Sequence, residues 1–235
     1  MNQPQRTLRG PLECVEWASH GGDPEAVVVL LHGFGAGGDD LVGLAPALSG
    51  ERPVHFVFPA APLSPPDIAA WGGRAWWPLR LAELMPQLAS GQVEALTGVV
   101  PEGLVEAREA LRRCVAAVRE DVPGGRVVLG GFSQGAMLAA DAAVRSMVPA
   151  DALLLMSGAP LASDDWSELP SLGVPAVVSH GTVDEVLPFR CGELLRDRLA
   201  GSQGCDVSFV PFDAGHTIPE PAVAEARRLI GRVLS

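Results

Sequence analysis

The sequence predicts an α/β fold, a single domain over residues 1–235 with a mostly parallel central sheet and helices on both faces. Three observations predict it. Apolar runs of strand length alternate with longer helix-like segments. Four of those runs are nearly continuous in Val, Leu, Ile, Ala or Phe instead of alternating with polar residues, which is the pattern of a strand covered on both sides. The length, 235 residues, suits one substantial core and is short for two.

The elements follow in order. Leu12–Ala18 alternates and reads as an antiparallel edge strand. Ala26–Leu31, Val54–Phe58, Arg126–Gly130, Ala152–Met156 and Val174–Ser179 read as buried strands, and Asp206–Pro211 as the last one. Between them, Glu102–Glu120 carries Leu104, Val105, Leu111, Val115 and Val118 on one helical face and charges on the other. Gln134–Met147, Arg190–Leu199 and Pro219–Leu234 complete the helices. Pro219 and Pro221 suit a first turn, where a missing N–H costs nothing. Pro59 to about Arg80 breaks the rhythm with four prolines and two glycines between its ends. Trp71, Trp76 and Trp77 lie in it, so the segment is expected to be an ordered, pocket-lining excursion, with a plain core cap as the alternative.

Composition narrows the functional classes. A net charge of −11 with acids and bases interspersed argues against a nucleic-acid binder. No apolar stretch approaches the length of a membrane helix. The N-terminal run Met1-Asn2-Gln3-Pro4-Gln5-Arg6-Thr7 is polar, without the apolar core of a secretory signal, so a cytoplasmic location is expected. Cys14, Cys114, Cys191 and Cys205 are scattered, without metal-ligand spacing, and read as reduced thiols. No cofactor or metal is expected.

The chemistry concentrates after the third buried run. Gly131-Phe132-Ser133-Gln134-Gly135 stands between a strand and an Ala-rich helix. This is the setting of a nucleophile elbow, in which the glycines let strand and helix approach and the turn lifts the serine hydroxyl above the sheet, as in the α/β-hydrolase fold. The Gln134 N–H then sits at a helix N-terminus, facing developing negative charge. A serine needs a base, and the base an orienting acid; in this fold they follow the serine as acid, then histidine. Of the two later histidines, His180 closes a strand ahead of any acid loop and reads as structural. His216 follows the last strand and is the better base. Asp184 is the favoured acid, with Glu185 a solvated neighbour. A second oxyanion donor comes from the loop after an early strand, and Leu30-Leu31-His32-Gly33-Phe34-Gly35-Ala36-Gly37-Gly38 offers the N–H of Phe34. A phosphate-binding reading of these glycines lacks Gly-Lys-Ser/Thr and the dinucleotide spacing. Asp39 or Asp40 is expected to cap the helix that follows.

Five ordered motifs carry a resemblance. They are Leu31-His32-Gly33-Phe34-Gly35, Phe58-Pro59-Ala60-Ala61-Pro62, Gly131-Phe132-Ser133-Gln134-Gly135, His180-Gly181-Thr182-Val183-Asp184 and Gly215-His216-Thr217-Ile218-Pro219. Together they resemble the phospholipase/carboxylesterase family, which includes the acyl-protein thioesterases. The resemblance runs from about Ala26 to the C-terminus. It implies Ser133, Asp184 and His216 as catalytic residues, Phe34 and Gln134 as oxyanion donors, and hydrolysis of carboxylic esters, lysophospholipids or acyl thioesters. Ala75-Trp76-Trp77-Pro78-Leu79 departs from the Ser/Ala-Trp-Phe-Asp typical of acyl-protein thioesterases. The expected substrate is therefore a small-molecule ester of small or medium acyl length, with a lysophospholipid or thioester as the alternative. Trp71, Trp76, Trp77, Met137 and Leu187, with Phe34, are the expected cleft lining. Self-association as a homodimer is compatible with the sequence. A catalytically silent binding module is the competing class, and an intact nucleophile, acid and base argue against it.

Overall fold

The structure, a computed structural model, describes residues 3–19 and 22–235. Met1 and Asn2 of the polar N-terminal run lie outside the described residues, as do His20 and Gly21. Eight strands form one sheet: β1 (Gln5–Arg9), β2 (Leu12–Ala18), β3 (Ala26–Leu31), β4 (Val54–Pro59), β5 (Arg126–Phe132), β6 (Ala152–Met156), β7 (Pro175–Gly181) and β8 (Asp206–Phe212). Their order is β1-β2-β4-β3-β5-β6-β7-β8. The pairs β1–β2 and β2–β4 are antiparallel, and every other pair is parallel.

Burial explains why these runs pair as they do. Every residue of β3 and β6 is buried. On β3 the alternating side chains split between two cores: Val27, Val29 and Leu31 on one face, Val28 and Leu30 on the other. Helices α5 (Leu104–Arg119), α6 (Gln134–Val144) and α7 (Phe189–Gly201) cover the first face; α1 (Ala45–Leu48) and α8 (Glu220–Val233) cover the second. Three short helices, α2 (Pro66–Ala69), α3 (Leu81–Ala89) and α4 (Glu94–Thr97), lie in the excursion between β4 and α5. No helix among the described residues is long and apolar enough to cross a membrane.

Two expectations are corrected. Leu12–Ala18 is antiparallel, but β1 pairs along its outer side and is the edge. Asp39 and Asp40 cap no helix: the chain enters a short 3₁₀ turn, Val42–Leu44, whose N-cap is Leu41 and carries no side-chain cap. The four cysteines are free and buried, and the Sγ atoms of Cys14 and Cys114 lie 3.8 Å apart.

Helix α6, which begins one residue after Ser133, is buried along its whole length. It carries one buried acid, Asp141, whose Oδ2 accepts from Arg108 Nε at 2.5 Å and whose Oδ1 accepts from Arg108 Nη2 at 2.9 Å and Arg145 Nε at 2.8 Å. Arg145 continues to Asp165 and to the carbonyl of Ala162. The network ties α6 to α5 and to the Ser163–Glu168 turn. Replacing Asp141 with alanine strands the buried Arg108 guanidinium, while Arg145 keeps Asp165, and is expected to cost about 3–5 kcal/mol. Urea unfolding of the purified variant measures it.

Candidate active site

Ser133 adopts φ 54° and ψ −119°, a left-handed conformation that a non-glycine residue holds only when its surroundings enforce it. The surroundings are tight. A methyl group at Gly131 or Gly135 would collide with the carbonyl oxygen of Leu31 at the end of β3, so only glycine fits on either side of the serine. The Ser133 N–H donates to the carbonyl of Met156 on β6 at 2.9 Å. The turn thus projects the hydroxyl beyond the carboxyl ends of the parallel strands, where the loops after β3, β7 and β8 converge.

Those loops bring the other candidates. His216, four residues after β8, is hydrogen-bonded through Nδ1 to Asp184 Oδ2 at 2.7 Å. Asp184, three residues after β7, also accepts the N–H groups of Val186 at 2.9 Å and Leu187 at 2.8 Å on Oδ1. Burial alone would push its carboxyl up, but the His216 and backbone hydrogen bonds outweigh it and hold the group below the usual carboxylate range. The His216 ring also packs on Phe132, with centroids 4.7 Å apart. Glu185 is exposed beside this arrangement. Among the described residues no hydrogen bond joins Ser133 to His216; both line the same cavity. Such contacts commonly tighten only when substrate is bound.

His180 is fully buried, and its Nε2 donates to the carbonyl of Leu187 at 2.8 Å, with Asp184 Oδ2 at 3.5 Å. Burial pushes its basicity down, so it stands neutral behind the acid and braces the loop from Gly181 to Leu187. Gly192 of α7 leaves room for its ring, since a methyl group there would overlap it.

The glycine loop after β3 runs beside the serine: a methyl group at Gly33 would stand 3.3 Å from Ser133 Cβ. The buried His32 shapes the loop. Its Nδ1 donates to the carbonyl of Gly33 at 2.8 Å, and its Nε2 accepts the N–H of Ala61 at 3.0 Å, which fixes the neutral tautomer. Desolvation lowers its basicity. Neither the N–H of Phe34 nor that of Gln134 is taken by a turn or loop carbonyl among the described residues. Gln134 opens α6, so its N–H has no partner within the helix either.

The tryptophans are placed differently from the expectation. Trp76 and Trp77 are 1% and 0% exposed and belong to the core, not to the cavity wall. The Gln134 side chain clamps their backbone, its Oε1 accepting the Trp76 N–H at 2.9 Å and its Nε2 donating to the Trp77 carbonyl at 2.9 Å. Trp76 Nε1 donates to the His32 carbonyl at 2.9 Å. Trp71 is 67% exposed, bonded through Nε1 to the Gly35 carbonyl at 3.3 Å, and does not line the cavity. The segment therefore straps the glycine loop to the elbow from behind. A large aromatic side chain carries no signal in sequence for which of two apolar surroundings it fills.

The cavity around Ser133 has a volume of about 580 Å³. Phe34, Met137 and Leu187 of the expected cleft lining border it, as does Gln134, the expected oxyanion donor; α3, α4 and the segment before them add Leu79, Leu84, Met85, Leu88 and Leu96. These five were missed. The apolar spacing Leu84, Leu88 was a usable signal, obscured by Pro86 inside the helix. A second depression of about 560 Å³, bordered by Arg6, Glu13, Asp39 and Arg74, contains none of the three candidate catalytic residues.

A family model described as Phospholipase/Carboxylesterase matches residues 12–233. The chain belongs to the phospholipase/carboxylesterase family. It is a hydrolase acting on ester bonds and has the α/β-hydrolase fold. Among curated members, it is 29% identical to acyl-protein thioesterase 1 of Yarrowia lipolytica, over 73% of this chain and 75% of that one. It is 30% identical to acyl-protein thioesterase 1 homolog 2 of Dictyostelium discoideum, over 72% and 74%. Among solved structures of the fold, esterase PE8 superposes with a TM-score of 0.78 at 26% identity, covering 93% of this chain and 97% of that one. A Bacillus cereus carboxylesterase superposes at 0.72 with 18% identity, covering 94% of each, a likeness of fold alone.

Proposed function

We propose that this family member is a serine carboxylesterase that turns over small or medium acyl esters through an acyl-enzyme on Ser133. The observation that carries the reading is the convergence of Ser133 and His216 on one apolar cavity, with His216 Nδ1 held by the buried carboxylate of Asp184.

The steps follow from the geometry. Asp184 keeps the Nδ1 proton in place, which leaves His216 Nε2 as the lone-pair nitrogen. Nε2 takes the Ser133 proton as Oγ attacks the ester carbon. The carbonyl oxygen becomes an oxyanion between the N–H groups of Phe34 and Gln134. Nε2 then gives the proton to the leaving oxygen as the ester C–O bond breaks, and alcohol departs. Water repeats the sequence against the acyl-serine, releasing the carboxylic acid and restoring the Ser133 hydroxyl.

Met137 and Leu187, with the five residues contributed around α3 and α4, form the acyl wall, so the later part of the excursion from β4 to α5 serves the pocket directly. Trp76 and Trp77 serve it indirectly, by fixing the strap. The names of the relatives favour a second reading, in which the leaving group is a thiol; the same steps apply with sulfur as the leaving atom. Four unpaired thiols support a reducing, cytoplasmic setting.

Labelling by a fluorophosphonate probe tests the assignment. Phosphorus should bond to Ser133 Oγ with loss of fluoride in the wild type. Labelling should vanish in Ser133→Ala and fall by about 10³-fold or more in His216→Ala, which removes the base. Undiminished labelling of Ser133→Ala would overturn the reading.

A further inference from the structure

The cavity mouth has a charge pattern that bears on which leaving group the site accepts, given the acyl-enzyme reading above. Of the residues lining the cavity, Asp40 is the one carboxylate, and no arginine lines it. The sequence contains no lysine, so all 17 of its cations are arginines. The arginines nearest the lining residues in sequence are spoken for. Arg74 ends on Glu13 at 3.1 Å, Arg80 on Glu83 at 3.8 Å and Arg190 on Glu193 at 3.5 Å. Asp39 takes Arg6 at 3.5 Å, whereas Asp40 has no ion pair among the described residues. Glu185 adds an exposed carboxylate next in sequence to the lining residue Val186. The chain as a whole carries −11.

From this pattern we infer that the site discriminates by charge, accepting esters with uncharged or cationic leaving groups and rejecting those whose leaving group bears phosphate or carboxylate. Asp40 is the residue that sets the discrimination. Asp40 is itself exposed, so its charge acts as a rim charge: an anionic group entering the cavity meets a like charge with no lining guanidinium to offset it, and the repulsion is open to screening by salt. The same field expels the carboxylate formed on deacylation, which helps product leave. The inference separates this chain's ester chemistry from hydrolysis of phosphate-bearing lysophospholipids and coenzyme A thioesters. Both present their anionic groups on the leaving side.

Three hexanoate esters test it: 4-carbamoylphenyl (neutral), 4-carboxyphenyl (anionic) and 4-(trimethylammonio)phenyl (cationic). For the wild type at low ionic strength, kcat/KM for the anionic ester should fall about tenfold or more below that of its neutral counterpart. The gap should narrow about threefold in 0.5 M NaCl, as screening shortens the reach of the charge. Asp40→Asn should raise the anionic-to-neutral ratio about three- to tenfold and lower the cationic-to-neutral ratio. Equal rates for anionic and neutral esters in the wild type would overturn the inference. So would ratios that move with neither salt nor Asp40→Asn. The salt series in the wild type decides the matter even if the variant folds poorly. Neutral-ester turnover surviving in Ser133→Ala is a different outcome: it would overturn the acyl-enzyme reading itself.

Discussion

Replacing Ser133 with alanine is expected to lower kcat on a neutral ester by about 10⁵- to 10⁶-fold, with a much smaller change in KM. The size of the effect follows from what the variant loses. Alanine removes the only atom that can form the acyl-enzyme, and His216 is left with no hydroxyl to deprotonate. The apolar wall and the two backbone donors remain, because neither Phe34 nor Gln134 contributes a side chain to them. Binding therefore persists, along with a residual rate from oxyanion stabilisation, about 10³-fold or more above the uncatalysed reaction. Hydrogen for hydroxyl is also the mildest change the elbow can accept, since Ser133 holds a left-handed backbone between two glycines that cannot be enlarged. Circular dichroism should show an unchanged fold. A fall of less than about 100-fold, measured after excluding wild-type contamination, would contradict the role given to Ser133.

Asp184→Asn is expected to lower kcat by about 10⁴-fold, and the hydrogen bonds say why. Oδ1 of Asp184 accepts two backbone N–H groups, from Val186 and Leu187, and Oδ2 accepts the His216 Nδ1 proton. An asparagine must keep its carbonyl oxygen toward the two backbone donors. Its amide nitrogen then faces His216 Nδ1, which becomes an acceptor, and the ring proton moves to Nε2. The nitrogen that should take the serine proton is now protonated. The geometry survives and the tautomer is wrong. The same carboxylate has a stability consequence. Its pKa is lowered in the fold, so between the folded and the ordinary value the unfolded chain binds more protons. Its contribution is present above the ordinary Asp range, near pH 4, and is lost as pH falls through the lower folded value. Acid unfolding of Asp184→Asn, compared with wild type, should show a flatter pH dependence below about pH 4. An unchanged kcat in Asp184→Asn would remove Asp184 from the mechanism.

The parallel half of the fold was legible because burial on two faces leaves a mark that polar residues cannot counterfeit. Ala26–Leu31 and Ala152–Met156 match their observed strands end to end. The turn at Ser133 and the placement of Asp184 and His216 just beyond β7 and β8 were legible because strand order constrains where an acid and a base can hang over the sheet. What escaped was set by long-range packing. Gln5–Arg9 has no apolar periodicity, and becomes a strand only because β2 offers a ladder beside it. Asp39 and Asp40 looked like caps, but the chain turns into 3₁₀ geometry without using them, which leaves Asp40 at the cavity. Trp76 and Trp77 read as cleft wall from their company of prolines and glycines. Their rings enter the core, and their backbone is held by the Gln134 side chain, 58 and 57 residues away, a partnership no local pattern records. The acyl wall around α3 was hidden for a related reason: Pro86 masks a helical period that tertiary contacts sustain.

Passage of the acyl group through Ser133 can be caught with a slow acyl donor. With p-nitrophenyl trimethylacetate, whose hindered acyl group leaves the enzyme slowly, the reaction can be quenched in acid and the protein mapped by peptide mass. One trimethylacetyl group is expected, on the peptide containing Ser133, appearing with the first equivalent of nitrophenol and decaying as the acid is released. Nitrophenol release with Ser133 left unacylated, or with the acyl group on another residue, would contradict it.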